Sequence, residues 1–103
     1  MYAVHITDLA KAEFRKVVSY IVKELKAPQA ADSLAKETEH RIKLLEEHPF
    51  KFPLVQDALL AERGMRFFPI KNYLAFYVVN EKKKKVSIVR FMYSHRDWLK
   101  LLA

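Results

Sequence analysis

Near the C-terminus, the stretch MYSHRDW (Met92 to Trp98) sets His95, Arg96 and Asp97 side by side. They combine a group that moves protons near neutral pH, a fixed cation and a carboxylate. A histidine here could act as general acid or base, and Arg96 could stabilise a charged transition state. The same residues also suit the end of a strand: Asp97 is placed to cap the WLKLL that follows, and Arg96 could pair with a neighbouring acid. Two further arginines, Arg66 and Arg90, fall inside strand-like runs, where a long cation needs solvent or a partner. Each could grip phosphate bidentately or form a salt bridge. Tyr73, Tyr77 and Tyr93 could stack on bases or rim a core. These residue types suit either a nuclease or a binder.

Other chemistries find no support. No serine, histidine and acid form a nucleophile motif, and there is no phosphate loop. The four histidines are scattered without metal-ligand spacing, and the absence of cysteine excludes disulfides and thiolate metal sites. No cofactor and no small-molecule substrate are expected. The lysine run in EKKKK (Glu81 to Lys85) reads as a solvated hairpin loop that discourages edge pairing, with a minor electrostatic role.

The chain of 103 residues, 51% hydrophobic and 13% aromatic, predicts one packed domain over residues 1–103. The N-terminal MYAVHITDLAKAEF lacks a basic segment followed by an apolar run, and no apolar stretch is long enough to cross a bilayer. A cytoplasmic protein without a membrane partner is expected. Charge is asymmetric. Residues 1–50 carry eight Lys/Arg against eight Asp/Glu, whereas residues 51–103 carry eleven against four, so the whole net charge of +7 lies in the second half. That points to a polyanionic target or an acidic protein partner.

The elements that would position these residues follow from periodicity. YAVHI (Tyr2 to Ile6) reads as a short strand, and Thr7 and Asp8 then open a helix. Phe14, Val17, Val18, Ile21, Val22 and Leu25 recur on one helical face, until Pro28 forces a break. A second helix starts at Pro28, buries Ala31, Leu34, Thr38, Ile42 and Leu45, and ends at Pro49. Two helices with so short a link predict an antiparallel hairpin. A helical turn at Asp57 to Glu62 precedes Gly64, the only glycine, which is expected to supply an unusual backbone angle. MRFFPI, YLAFYVVN and VSIVRFMYS read as strands joined by Lys71-Asn72 and the lysine loop, and DWLKLLA as a closing helical turn. In the last strand, Ser87, Val89, Phe91 and Tyr93 are expected opposite Val86, Ile88, Arg90 and Met92. The order β-α-α-β-β-β predicts an α+β fold, a helical hairpin packed on one face of a mostly antiparallel four-stranded sheet. The other face is expected to stay partly open and basic.

Over nearly its whole length the chain resembles the RelE/ParE superfamily of type II toxin–antitoxin toxins. The likeness is carried by the short first strand, AAD…L in the second helix, LLEEHPFKFPLV, GMRFFPIKNYLAFYVV and VSIVRFMYSHRD. Gly64, Arg66, Tyr73, Tyr77, Val89, Arg90, His95, Arg96 and Asp97 match its C-terminal pattern. The resemblance implies a toxin that inhibits bacterial growth and is neutralised by an antitoxin. RelE-like members cleave mRNA on the ribosome, whereas ParE-like members inhibit DNA gyrase. Arg66 matches the first basic residue of the RelE set, but Phe68 and Leu74 stand where that set has a lysine and an arginine. His95 occupies the region of a RelE-like catalytic residue. The resemblance therefore leans to the ParE-like mode, with Arg66, Tyr73, Arg90, Tyr93, His95 and Arg96 as target contacts. A nuclease using Arg66, Arg90, His95 and Arg96, or an inactive homologue kept as a binding partner, remains open.

Overall fold

The structure, a computed structural model, describes residues 1–102. Thr7 opens the first helix, α1 (Asp8–Lys23), its hydroxyl accepting from the Ala10 amide at 3.2 Å. The expected apolar stripe packs on the core only as far as Ile21, which is buried, with Phe14, Val17 and Val18 partly buried. Val22 and Leu25 are 39% and 55% exposed, because the helix ends at Lys23 and only the return turn lies beside them. That turn uses Lys26 at φ 51° before Pro28 starts α2 (Pro28–Glu47). In α2, Ala31, Leu34 and Leu45 are buried and Ile42 packs on the core, whereas the Thr38 hydroxyl donates to the Leu34 carbonyl at 2.8 Å.

Four strands form one mixed sheet in the order β1-β4-β3-β2 (β1 Ala3–Ile6, β2 Arg66–Ile70, β3 Tyr73–Asn80, β4 Lys85–Tyr93). β1 runs parallel to β4, and the other neighbours are antiparallel. The helical hairpin lies on one face, over Phe68, Ile70, Ala75, Tyr77, Val86 and Ile88.

Two features differ from the sequence reading. The second face is closed rather than open. A short helix α3 (Ala58–Glu62) and a C-terminal helix α4 (Trp98–Leu102) bring Val55, Leu60, Trp98 and Leu102 onto Phe76 and Met92, which are 0% and 1% exposed. A central strand apolar on both faces must be covered on both, and the chain after β4 supplies much of the cover. The regular alternation of β4 is also broken. Phe76 pairs with Arg90 but the next residue, Tyr77, pairs with Ile88, so Val89 is an extra residue in a β-bulge. The bulge turns Phe91 to the same face as Val86 and Ile88, and sends Val89 to the second core with Met92.

Candidate functional site

β1 pairs with β4 only as far as Ile88, so the sheet edge beyond the bulge has no strand neighbour. Backbone polar groups there need other partners. Thr7 supplies two of them: its amide donates to the Ile88 carbonyl at 3.0 Å and its hydroxyl to the Val89 carbonyl at 3.3 Å. Glu13, one and a half turns into α1, accepts from the Phe91 amide at 3.0 Å through Oε1. The same carboxylate receives the Arg90 guanidinium, from Nε at 3.1 and 3.2 Å and from one terminal nitrogen at 2.8 Å. The other terminal nitrogen of Arg90 donates to the Leu101 carbonyl of α4 at 3.0 Å. Arg90 thus straddles the sheet edge and ties α1 to α4. Its hydrogen bonds to the Glu13 carboxylate raise its pKa further, against the smaller opposing effect of burial, and keep it a permanent cation.

Arg66 lies elsewhere. It pairs with Tyr77 across β2 and β3, four residues along the strand from the Ile70–Tyr73 pair. At the rise of an extended chain that is about 13 Å from the end of the sheet that holds Tyr73. One terminal nitrogen donates to the Phe52 carbonyl at 2.7 Å, and the guanidinium sits over the Phe50 ring at 5.1 Å. Tyr77 beside it is fully buried, its hydroxyl donating to the Pro49 carbonyl at 2.8 Å. Burial raises its pKa to about 12, partly offset by Arg66. It is a core residue.

Four expected contact residues gather at the other end of the sheet. Tyr73 and Tyr93 are cross-strand partners, with ring centroids 5.9 Å apart, and Tyr73 stacks on Phe91 at 5.5 Å. The Tyr93 ring meets that of His95 edge-on at 5.0 Å, and the Tyr93 hydroxyl and His95 Nδ1 are 3.1 Å apart. Ser94 and Arg96 are held in the turn after β4 by amide bonds to the Asn72 and Tyr93 carbonyls, at 2.8 and 3.0 Å. That leaves Tyr93, His95 and Arg96 exposed. Partial burial, and then the neighbouring hydroxyls of Tyr20 and Tyr93, raise the pKa of Tyr73. Asp97 directly precedes α4, with its carboxylate 3.8 Å from the Lys100 ammonium.

The structure therefore brings together Tyr73, Tyr93, His95 and Arg96 and separates them from Arg66, with Arg90 on the sheet edge. The Tyr93–His95 pair can relay a proton at the surface, but both strand arginines are committed to protein acceptors. Glu13 and Tyr20 were missed, because a glutamate or tyrosine on the flank of a helix is ordinarily solvated. The one signal for Glu13 was Arg90 itself, a cation at an apolar register position of a strand.

The sequence matches the family model described as the ParE toxin of the type II toxin–antitoxin system parDE, over residues 4–98. A search of curated proteins returns no match. Among solved structures, the fold is similar to that of a chromosomal ParDE system from P. aeruginosa, at 18% identity, TM-score 0.70, over 90% of this chain and 96% of that one. It is also similar to a chain of the RelBE2 toxin–antitoxin complex from Mycobacterium tuberculosis (18% identity, TM-score 0.63, 89% and 96% covered). The isolated E. coli RelE toxin aligns at 15% identity and TM-score 0.59, over 99% and 94%. At these identities the structures attest the fold; the family rests on the sequence model, which spans nearly the whole chain. The chain belongs to the ParE toxin family of type II toxin–antitoxin systems.

Proposed function

We propose that this toxin acts in the cytoplasm by binding, as a ParE-like inhibitor of DNA gyrase, and that a cognate antitoxin neutralises it. The observation that carries the reading is the commitment of its strand arginines. Cleavage of RNA by its own 2′-hydroxyl needs base, acid and phosphate stabilisation converging on one point. Arg90 is instead neutralised by Glu13, and Arg66 is bonded to the Phe52 carbonyl at the far end of the strand. What remains exposed is an aromatic and cationic contact surface of Tyr93, His95 and Arg96 over Tyr73. Such a surface suits recognition of a large partner, with aromatic rings as anchors and charge at the rim. The antitoxin reading is supported by the family and by similar chains solved as toxin–antitoxin systems. An acidic segment would complement the basic half of the chain.

A second reading, a ribosome-dependent mRNA endonuclease, draws on the exposed Tyr93–His95 pair as an acid–base couple. Induction without antitoxin separates the two. The gyrase reading expects growth arrest with relaxed plasmid DNA and intact transcripts, and mRNA cut at codon boundaries with normal supercoiling would overturn it. Arg96→Ala is expected to lower toxicity at least tenfold without changing the melting temperature. A fully toxic Arg96→Ala would remove this surface from the contact.

A further inference from the structure

Between the helical hairpin and the sheet lies a half-open pocket of about 320 Å³. Its floor includes Phe68, Ile88 and Phe91 of the sheet, and Phe14 and Ile42 are on its walls. Three alanines account for it. Ala10 on α1, Ala35 on α2 and Ala75 on β3 all face the space, and Ala75 sits in register between Phe68 and Phe91, so a methyl group separates two rings. The pocket is open to solvent on one side and lined mainly by apolar side chains, and its volume falls in the range of small-molecule sites.

The rim carries charge. Lys11 and Arg15 stand one turn apart on α1, both exposed, and neither forms an ion pair among the described residues. Glu39 faces them from α2, which leaves the mouth with two cations against one carboxylate. An apolar interior beneath a net positive rim matches an amphiphile with one anionic head.

We propose that this cavity is a binding site for a medium-chain carboxylate, its chain between the hairpin and the sheet and its head at Lys11 and Arg15. A tail of roughly eight to ten carbons is small enough to lie within such a volume, which is at the lower end of the range of small-molecule pockets. The site is on the opposite face of the sheet from α3 and α4, and the inference does not depend on the toxin's cellular target.

The test is titration of the full chain, carrying labelled isoleucine methyl groups, with decanoate below its micelle concentration. Ile6, Ile42 and Ile88 line the cavity, whereas Ile21 and Ile70 do not. Saturable shifts are expected at the first three and not at the other two. Ala35→Leu fills the mouth from an exposed helix position and is expected to abolish binding with the fold intact. Lys11→Gln with Arg15→Gln should weaken decanoate by about tenfold or more, and decylamine, with the same tail and a cationic head, should bind far less well than decanoate. No shift up to about 1 mM, equal shifts at all five isoleucines, or undiminished binding by Ala35→Leu would overturn the site. Decylamine binding as tightly as decanoate would overturn the assignment of an anionic ligand.

Discussion

Glu13 accepts four hydrogen bonds, three from Arg90 and one from the Phe91 amide. Its carboxylate, 14% exposed, holds an arginine 18% exposed and the Phe91 amide on the edge that β1 leaves uncovered. Removing one partner of a shielded pair leaves the other charge desolvated and alone. Glu13→Ala is expected to cost about 3 kcal/mol in urea unfolding, and the double variant with Arg90→Leu less than the two single losses combined. Tyr77 makes a different prediction. Its folded pKa of about 12 lies above the ordinary value of 10, because burial disfavours the phenolate. The native state then holds its proton more tightly than the unfolded state does. Its contribution is intact below pH 10 and is lost as pH rises from 10 through about 12, by at most about 3 kcal/mol. Tyr77→Phe should cost about 1 kcal/mol at neutral pH, because the Pro49 carbonyl loses its donor. The same variant should show a shallower alkaline loss, and pH-dependent unfolding checks both.

Among the elements, the two short helices close a core that the hairpin cannot reach. α3 ends at Arg63, and Gly64 follows at φ 79° with its amide bonded to the Ala61 carbonyl. This left-handed residue after a helix reverses the chain into β2. A Cβ built on Gly64 meets nothing within 4 Å, so the cost of a side chain is conformational and not steric. Gly64→Ala should lower stability by about 1 kcal/mol and leave the packing of Val55 and Leu60 unchanged. Thermal unfolding with the near-ultraviolet signal of Trp98 measures both. The bulge in β4 works at the same scale: one extra residue lets a strand face the hairpin with Phe91 and the second core with Met92.

At the scale of the whole molecule, charge is divided between the two ends of the sheet. Lys82 to Lys85 lie around the β3–β4 turn, with the Lys84 ammonium over the Tyr2 ring at 5.0 Å. Lys71, His95 and Arg96 lie at the opposite end, about 26 Å away along the eight residues of β3. Both groups are exposed, so they act through long-range steering that salt screens. Association with an acidic antitoxin is expected to slow by about tenfold between low and physiological ionic strength, with dissociation nearly unchanged. Stopped-flow mixing over a salt series checks this. Replacing Lys82, Lys83 and Lys85 by glutamine should flatten the dependence without changing the melting temperature.

Local regularities carried the architecture. The helical spacing of Phe14, Val17, Val18 and Ile21, the breaks at Pro28 and Pro49, and the Gly64 turn predicted the element order and the hairpin, because each is a property of a few neighbouring residues. Motif order likewise carried the family. Tertiary structure alone decided what each charged side chain does. Arg90 and Glu13 are separated by 77 positions and meet only because β1 stops at Ile88 and α1 lies along the uncovered edge. Arg66 found a carbonyl and a ring where a carboxylate was one of the expected partners, and the expected basic face became a second core. Periodicity reports which residues share a face of one element. It holds no information on which distant element covers that face, and an arginine's role depends on that cover.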